Sequence, residues 1–403
     1  MDKKLLAIGI IAILAVASIG IYIATSDSSN NDDRDRGETR TVVDAKGRSV
    51  EVPAVIDDGI VTIGSNGPLR FLSSFGVYDK VIEVDRGDVR DAKNGRAYSY
   101  AFDYSNLPFH PDNALSAADA ERIGNLKPDL VVTNVAIWNN NLVNFEILEK
   151  ACAIIVINDQ EMTFVEENGN LAKYLESIYT ILGKALGKEA RANEMISNVK
   201  SIISDLKSIS GTSNDKVYVA GLTINGSNTF NTTFQHYLPF ILTGVTNAFV
   251  DTSNPTAIRS TVEPERFSTL GIDRIFIDPS SSDKISDTSS QLALENLYGR
   301  IKGGEDIRIY ITIPIVWDSI NYDSMFAAAY CTAYYMFNSL SLEETEAKIN
   351  GIFEMYYGDA GSEVFKSMKQ FFDGKSSAFG VEMPILQEVE ITLESGNYRI
   401  RTK

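Results

Sequence analysis

The chain has 403 residues, 44% of them apolar and 23% charged, with a net charge of −17 at pH 7. That length is long for one core and predicts two domains or lobes. The acidic balance excludes a phosphate-backbone partner, so no nucleic acid is expected. Two cysteines and two histidines cannot build a His-rich metal site, and no zinc, phosphate-loop or Gly-x-Ser-x-Gly signature is present. No catalytic residue, resident metal or cofactor is therefore expected, and the protein is not expected to be an enzyme.

Lys3 and Lys4 precede an uncharged apolar run from Leu5 to Ser26. The run is long enough to cross a hydrocarbon core, with its basic side in the cytoplasm. Residues 1–26 are read as an uncleaved anchor, with a cleaved signal peptide at Ala15–Ala17 as the alternative. Either way, the rest of the chain is expected outside the cytoplasm. Residues 27–40 are polar and form a flexible spacer.

From Thr41 to Pro53, paired valines flank an Ala-Lys-Gly turn and predict a β-hairpin. Gly59–Ser65 is a buried strand, Pro68 opens a helix, and Val77–Asp85 returns as a strand. An aromatic loop covers Tyr98–Pro111; a helix, a turn and a strand cover Ala120–Asn134. With a helix over Leu142–Ala151 and a strand over Ala153–Asp159, residues 41–165 read as one α/β lobe with a parallel sheet. Residues 166–212 are helical. Leu171, Leu175, Ile178 and Leu182 form one stripe, Met195, Val199, Ile202, Leu206 and Ile209 a second, with a break near Gly187. The second helix reads as a rigid connector. A second alternation fills residues 213–375, and residues 376–403 read as a terminal hairpin.

Ala120–Asn134 and Pro264–Asp278 match. Each has Glu-Arg, then Leu four places on, then Asp three later, then an apolar strand. The fold class is therefore α/β, a clamshell of two lobes whose strand-end loops face one ligand cleft. Candidate ligand-binding residues sit in those loops. The first lobe offers Ser65, Asn66 and Gly67, whose backbone N–H groups open a helix and suit an anion, then Arg86, Tyr100 and Trp138. The second lobe offers Asn225, His236, Tyr237, Trp317, Asn321 and Tyr322. Trp138 and Trp317 follow strands in corresponding parts of the two halves. Aromatic loops suit a broad chelate, whereas hydroxyls, amides and Arg suit an oxyanion. Both sets are present and the ligand class stays open. Asn225-Gly-Ser and Asn231-Thr-Thr are glycan acceptor sequences in a chain read as extracellular. Cys152 and Cys331 are expected as buried free thiols.

The stretches "TVVDAKGRSVEVP" and "ERIGNLKPDLVV", with one long helix between halves, resemble the substrate-binding proteins of ABC importers for iron complexes and cobalamin. The resemblance spans Thr41 to Gly374. It implies two Rossmann-like lobes joined by a single long α-helix, with limited hinge motion. "YVAGLTINGSNTFNTTFQHYLPF" and "ITIPIVWDSINYDSMFAAAYCTAYYM" are similar to the branch that includes molybdate and tungstate binders. The implied function is capture of a metal complex of ferric-siderophore, haem or cobamide type for an ABC permease dimer with its ATPase subunits. A molybdate or tungstate receptor is the alternative, and a non-transport cell-surface structural protein the rival class. In that family a glutamate on each lobe docks onto permease arginines, and by motif position these correspond to Glu121 and Glu265.

Overall fold

Val42 and Val50 face each other in an antiparallel hairpin of β1 (Thr39–Val43) and β2 (Ser49–Pro53). The Asp44 carboxylate closes the turn by accepting from the backbone N–H groups of Lys46 and Arg48. This computed structural model describes residues 37–89, 95–111, 113–159, 171–223 and 226–403. The apolar N-terminal run lies outside the described residues. Among those described, no helix is long and apolar enough to cross a membrane.

The first sheet is built from short apolar strands: β3 (Ile60–Ile63), β4 (Val81–Asp85), β5 (Phe109–His110), β6 (Leu130–Asn134) and β7 (Ala153–Ile157). Their order is β5-β4-β3-β6-β7 and every pairing is parallel. Runs such as Leu130–Val132 are buried throughout because both sheet faces are covered. Alternation divides them: Ile60, Val132 and Ile155 join the main core, while Val61, Val131 and Ile154 join a separate cluster.

Two helices follow, Leu171–Leu186 and Glu189–Ile209. The chain turns at Gly187, whose φ of +63° is a left-handed conformation that glycine adopts without a Cβ penalty. The predicted stripe Leu171, Leu175, Ile178 and Leu182 is fully buried. The pair packs closely at Gly183, where an added Cβ would lie 2.4 Å from the Cβ of Ala192.

The second half supplies β8 (Lys216–Ala220), β9 (Thr232–Phe234), β10 (Thr246–Asn247), β11 (Arg259–Thr261), β12 (Arg274–Ile277), β13 (Arg308–Ile311), β14 (Val316–Trp317), β15 (Ser319–Ile320), β16 (Glu388–Glu394) and β17 (Asn397–Thr402). Its main sheet runs β10-β8-β12-β13-β16-β17. The β10, β8, β12 and β13 pairings are parallel; the terminal hairpin β16–β17 adds to the edge in antiparallel fashion. The series β4-β3-β6-β7 and β10-β8-β12-β13 thus have the same order and polarity. The matched sequence units feed equivalent strands, β6 and β12. The fold is α/β with two sheet-centred lobes, as the clamshell reading requires. Cys152 and Cys331 are buried and free.

Substituting Gly183→Val is expected to overpack the helix pair and cost about 1–3 kcal/mol. Chemical denaturation should show a lower midpoint with an unchanged slope.

Candidate functional site

The carboxyl end of β3 runs into Gly64–Gly67, and β4 ends beside it. Asp85, at the end of β4, accepts from the backbone N–H of Gly64 (3.2 Å) and of Asn113 (2.8 Å). Asp88 accepts from the backbone N–H of Asn66 at 3.1 Å, and the Ser65 N–H donates to the Asn113 side chain at 2.9 Å. The Gly67 N–H donates to the Gly64 carbonyl at 3.1 Å. The N–H groups expected to hold an anion are therefore engaged within the protein. Asp88 takes the Asn66 N–H, the Asn113 side-chain oxygen that of Ser65 and the Gly64 carbonyl that of Gly67, while Asp85 holds the preceding Gly64 N–H.

Asp88 is fully buried and anchors a network. The Tyr98 hydroxyl lies 2.8 Å from its Oδ1 and 3.0 Å from the Asn66 Oδ1. The guanidinium of Arg96 lies 3.7 Å away. Burial pushes the Asp88 carboxyl up to about 7 against the opposing pull of Arg96 and Tyr98. Behind it, Glu83 receives both arms of Arg122, at 2.7 and 2.6 Å, and the His110 Nδ1–H at 3.0 Å. Burial acts to raise Glu83, but the Arg122 fork and His110 outweigh it and hold the group at about 2.

The second lobe meets this loop through the β14–β15 hairpin. Ser65 Oγ donates to Asp318 at 2.8 Å. The Asn66 side-chain amide donates to the Trp317 carbonyl and, at 2.9 Å, to that of Ser319. Arg70 donates to the Ile320 carbonyl and lies 3.7 Å from Asp159. Arg96 stacks over the Trp317 ring at 5.0 Å. Arg259 reaches the Asp318 carbonyl at 3.3 Å. Ser65, Asn66, Trp317, Asn321 and Tyr322 are thus gathered at one interlobe seam: Asn321 is buried directly after the hairpin, and Tyr322 packs 6.0 Å from Phe71. Gly67 is buried beside Asp159 and Asn134.

The other candidates lie elsewhere. Trp138 stacks on Phe145 at 4.8 Å beneath Arg48 at 3.9 Å, in the first lobe's second cluster, and is not paired with Trp317. The helix after β6 turns its ring to the face lined by Val61 and Val131. Tyr237 is fully buried against Phe240, in the core. Tyr100 packs edge-on to Phe371 at 6.1 Å, and His236 bonds the Pro255 carbonyl at 2.8 Å. Arg86 is exposed after β4. Asn225 lies outside the described residues. Asn231 is 2% exposed and its amide donates to the Val262 carbonyl at 2.8 Å, so that sequon is closed to a glycan. Sequence reasoning missed Arg70, Asp88, Arg96, Asn113, Arg259 and Asp318, scattered single residues without a motif. Among the described residues, no cluster of His, Cys, Asp and Glu could hold a metal ion.

Glu121 and Glu265 are both exposed, on the helix Ala117–Leu126 and the turn Pro264–Ser268 that lead into β6 and β12. Their arginine neighbours, exposed as well, each reach a buried group: Arg122 binds Glu83 on β4, and Arg266 lies 5.2 Å over the Phe249 ring just beyond β10. In each lobe the duplicated arginine thus contacts the second strand of the series in chain order or the residues just after it.

Two lobes with facing strand ends and a polar seam define a two-lobed solute-binding protein. The chain belongs to the periplasmic binding protein family, whose sequence model matches residues 109–314. It is a binding protein of the kind that serves ABC transporters. Its fold is similar to a periplasmic solute binding protein from Veillonella parvula, at 18% identity and a TM-score of 0.56, covering 81% of this chain and 96% of that one. It is equally similar to an ABC transporter solute binding protein from Sulfurospirillum deleyianum, with 14% identity, TM-score 0.56 and coverage of 79% and 95%. The molybdate-bound periplasmic protein MolA of Haemophilus influenzae matches with 13% identity, TM-score 0.56 and coverage of 79% and 98%. These likenesses concern the fold. No curated protein sequence matches the chain.

The carboxylates make stability pH-dependent. Glu83 is held below its unfolded value, so its contribution is present above about pH 4.3 and is lost as pH falls toward 2. Asp88 is raised to about 7, and burial likewise raises Asp278 to about 6 despite the Ser280 hydrogen bond. Their contribution is full below about pH 3.9 and is lost as pH rises through those values. Thermal unfolding between pH 2 and 8 should therefore show a maximum on the acid side of neutrality, near pH 4–5. Asp278→Asn should flatten the decline between pH 4 and 6.

Proposed function

We propose that the protein is the extracytoplasmic solute-binding component of an ABC importer, tethered by its N-terminal segment. It captures an anionic metal species between its lobes and presents it to a permease dimer powered by ATPase subunits. The carrying observation is the interlobe seam, where Ser65, Asn66, Arg70, Arg96 and Arg259 converge on one hairpin. Amide, hydroxyl and guanidinium donors in a partly desolvated cleft suit an anion.

Within that class the geometry favours a compact oxyanion of the molybdate or tungstate kind over a ferric-siderophore, haem or cobamide. Trp138 and Tyr237 are consumed by lobe cores, and Tyr100 packs on Phe371, so among the described residues these three rings add nothing to an aromatic wall at the seam. The molybdate bound by the Haemophilus protein of the same fold supports this choice. Titration of the purified ectodomain with molybdate, tungstate, a ferric catecholate and haem, followed by tryptophan fluorescence, separates the readings. Oxyanion binding is expected, and Arg259→Ala should weaken it by about tenfold or more, the scale of a lost charge-assisted hydrogen bond. Binding of none of the four sinks the receptor assignment.

Glu121 and Glu265 occupy matched exposed positions on the two lobes, which suits paired contact with basic pockets of a two-fold permease. The double substitution Glu121→Ala with Glu265→Ala should abolish uptake in cells while ligand affinity in vitro stays unchanged. Normal uptake by that variant removes the docking role.

A further inference from the structure

The hairpin Val316–Ile320 does more than line the cleft. Its strands pair Val316 with Ile320 and Trp317 with Ser319, so Asp318 alone forms the tip. Asp318 has φ +54°, a left-handed conformation that costs a side-chain-bearing residue free energy. Across the seam Asn66, which donates to the carbonyls of Trp317 and Ser319 on either side of Asp318, is also left-handed at φ +46°. Conformations of this kind persist where surrounding contacts over-determine them. Here the contacts run across the seam: main-chain carbonyls of the hairpin accept from the Asn66 amide and from Arg70.

The first-lobe side of the contact is preorganised from within. Asp88 holds the Asn66 N–H at 3.1 Å, and the Tyr98 hydroxyl bridges Asp88 to the Asn66 side-chain oxygen. The Asn66 amide nitrogen is thereby aimed at the hairpin. Arg96, beside Asp88, closes the circuit by stacking on Trp317. Asn66 and Arg96 are both fully buried. Pulling the lobes apart breaks these contacts together.

We propose that this hairpin is an interlobe latch. Its backbone carbonyls occupy the Asn66 and Arg70 donors and hold the clamshell closed, so a ligand gains those donors only as the latch swings away. The latch rests on the reading of the cleft as the ligand site, and it predicts a property measurable with no ligand at all. Spin labels on cysteines introduced at the exposed positions 121 and 265, one on each lobe, report lobe separation by double electron–electron resonance; the native Cys152 and Cys331 are buried.

The unaltered hairpin should give one narrow distance distribution. Asn66→Ala, Arg70→Met and a Gly-Gly insertion after Asp318 should each add a second, longer population. The insertion leaves every first-lobe residue in place and decides the matter if a first-lobe variant fails to fold, as judged by circular dichroism. Distributions that superimpose on the parent in every folded variant overturn the latch. A failure to bind any titrated solute overturns only the receptor reading, because the distance measurement uses none.

Discussion

The capture of the Gly64 and Asn66 N–H groups by two buried carboxylates is the interaction on which the rest of the site depends. A strand-to-helix turn presents N–H groups that need an acceptor. Here Asp85 and Asp88 supply it from the neighbouring strand end. Desolvating Asp88 is costly, and the raised carboxyl is the sign of that cost. Arg96 and Tyr98 offset part of it, and in doing so fix the Asn66 side chain. A loop that would otherwise be an anion cradle becomes a rigid platform whose side chains, rather than its backbone, address the cleft.

That platform explains how two lobes built on the same plan meet asymmetrically. The series β4-β3-β6-β7 and β10-β8-β12-β13 share order and direction, so both sheets have the strand-end loops needed for one cleft. The first lobe contributes charged and amide side chains. The second contributes main-chain carbonyls from a hairpin inserted after β13, together with the Asp318 carboxylate, the Trp317 ring and Arg259. Away from the seam, the repeated units turn their arginines to contacts with Glu83 and Phe249 and leave Glu121 and Glu265 facing solvent. The repeated Glu-Arg pair thus combines a structural residue with one available to a partner.

Much of the scaffold was legible in the residues. Continuous apolar runs such as Leu130–Val132 identify strands buried on both faces, and the stripes on either side of Gly187 identify the helix pair. The exposed glutamates were found because a repeat marks equivalent positions. The site was legible only in part. Ser65, Asn66, Trp317, Asn321 and Tyr322, singled out because they follow strands, lie together at the seam. Trp138 follows a strand too, yet the helix after β6 turns its ring to the other face of the sheet, against Phe145. Helical phase at that level depends on the packing of neighbours, not on the distance from a strand end.

By itself, the sequence determined the alternation of strands and helices, the duplication, the helical crossover and the absence of recognisable enzyme signatures, because these are local patterns of period, turn chemistry and residue type. The tertiary structure alone decided which charges meet. Arg70, Asp88, Arg96, Arg259 and Asp318 carry no mutual spacing in the chain. They meet because the loops after β3 and β13 come together across the lobes, and because buried charge is tolerable only where the fold brings it a partner.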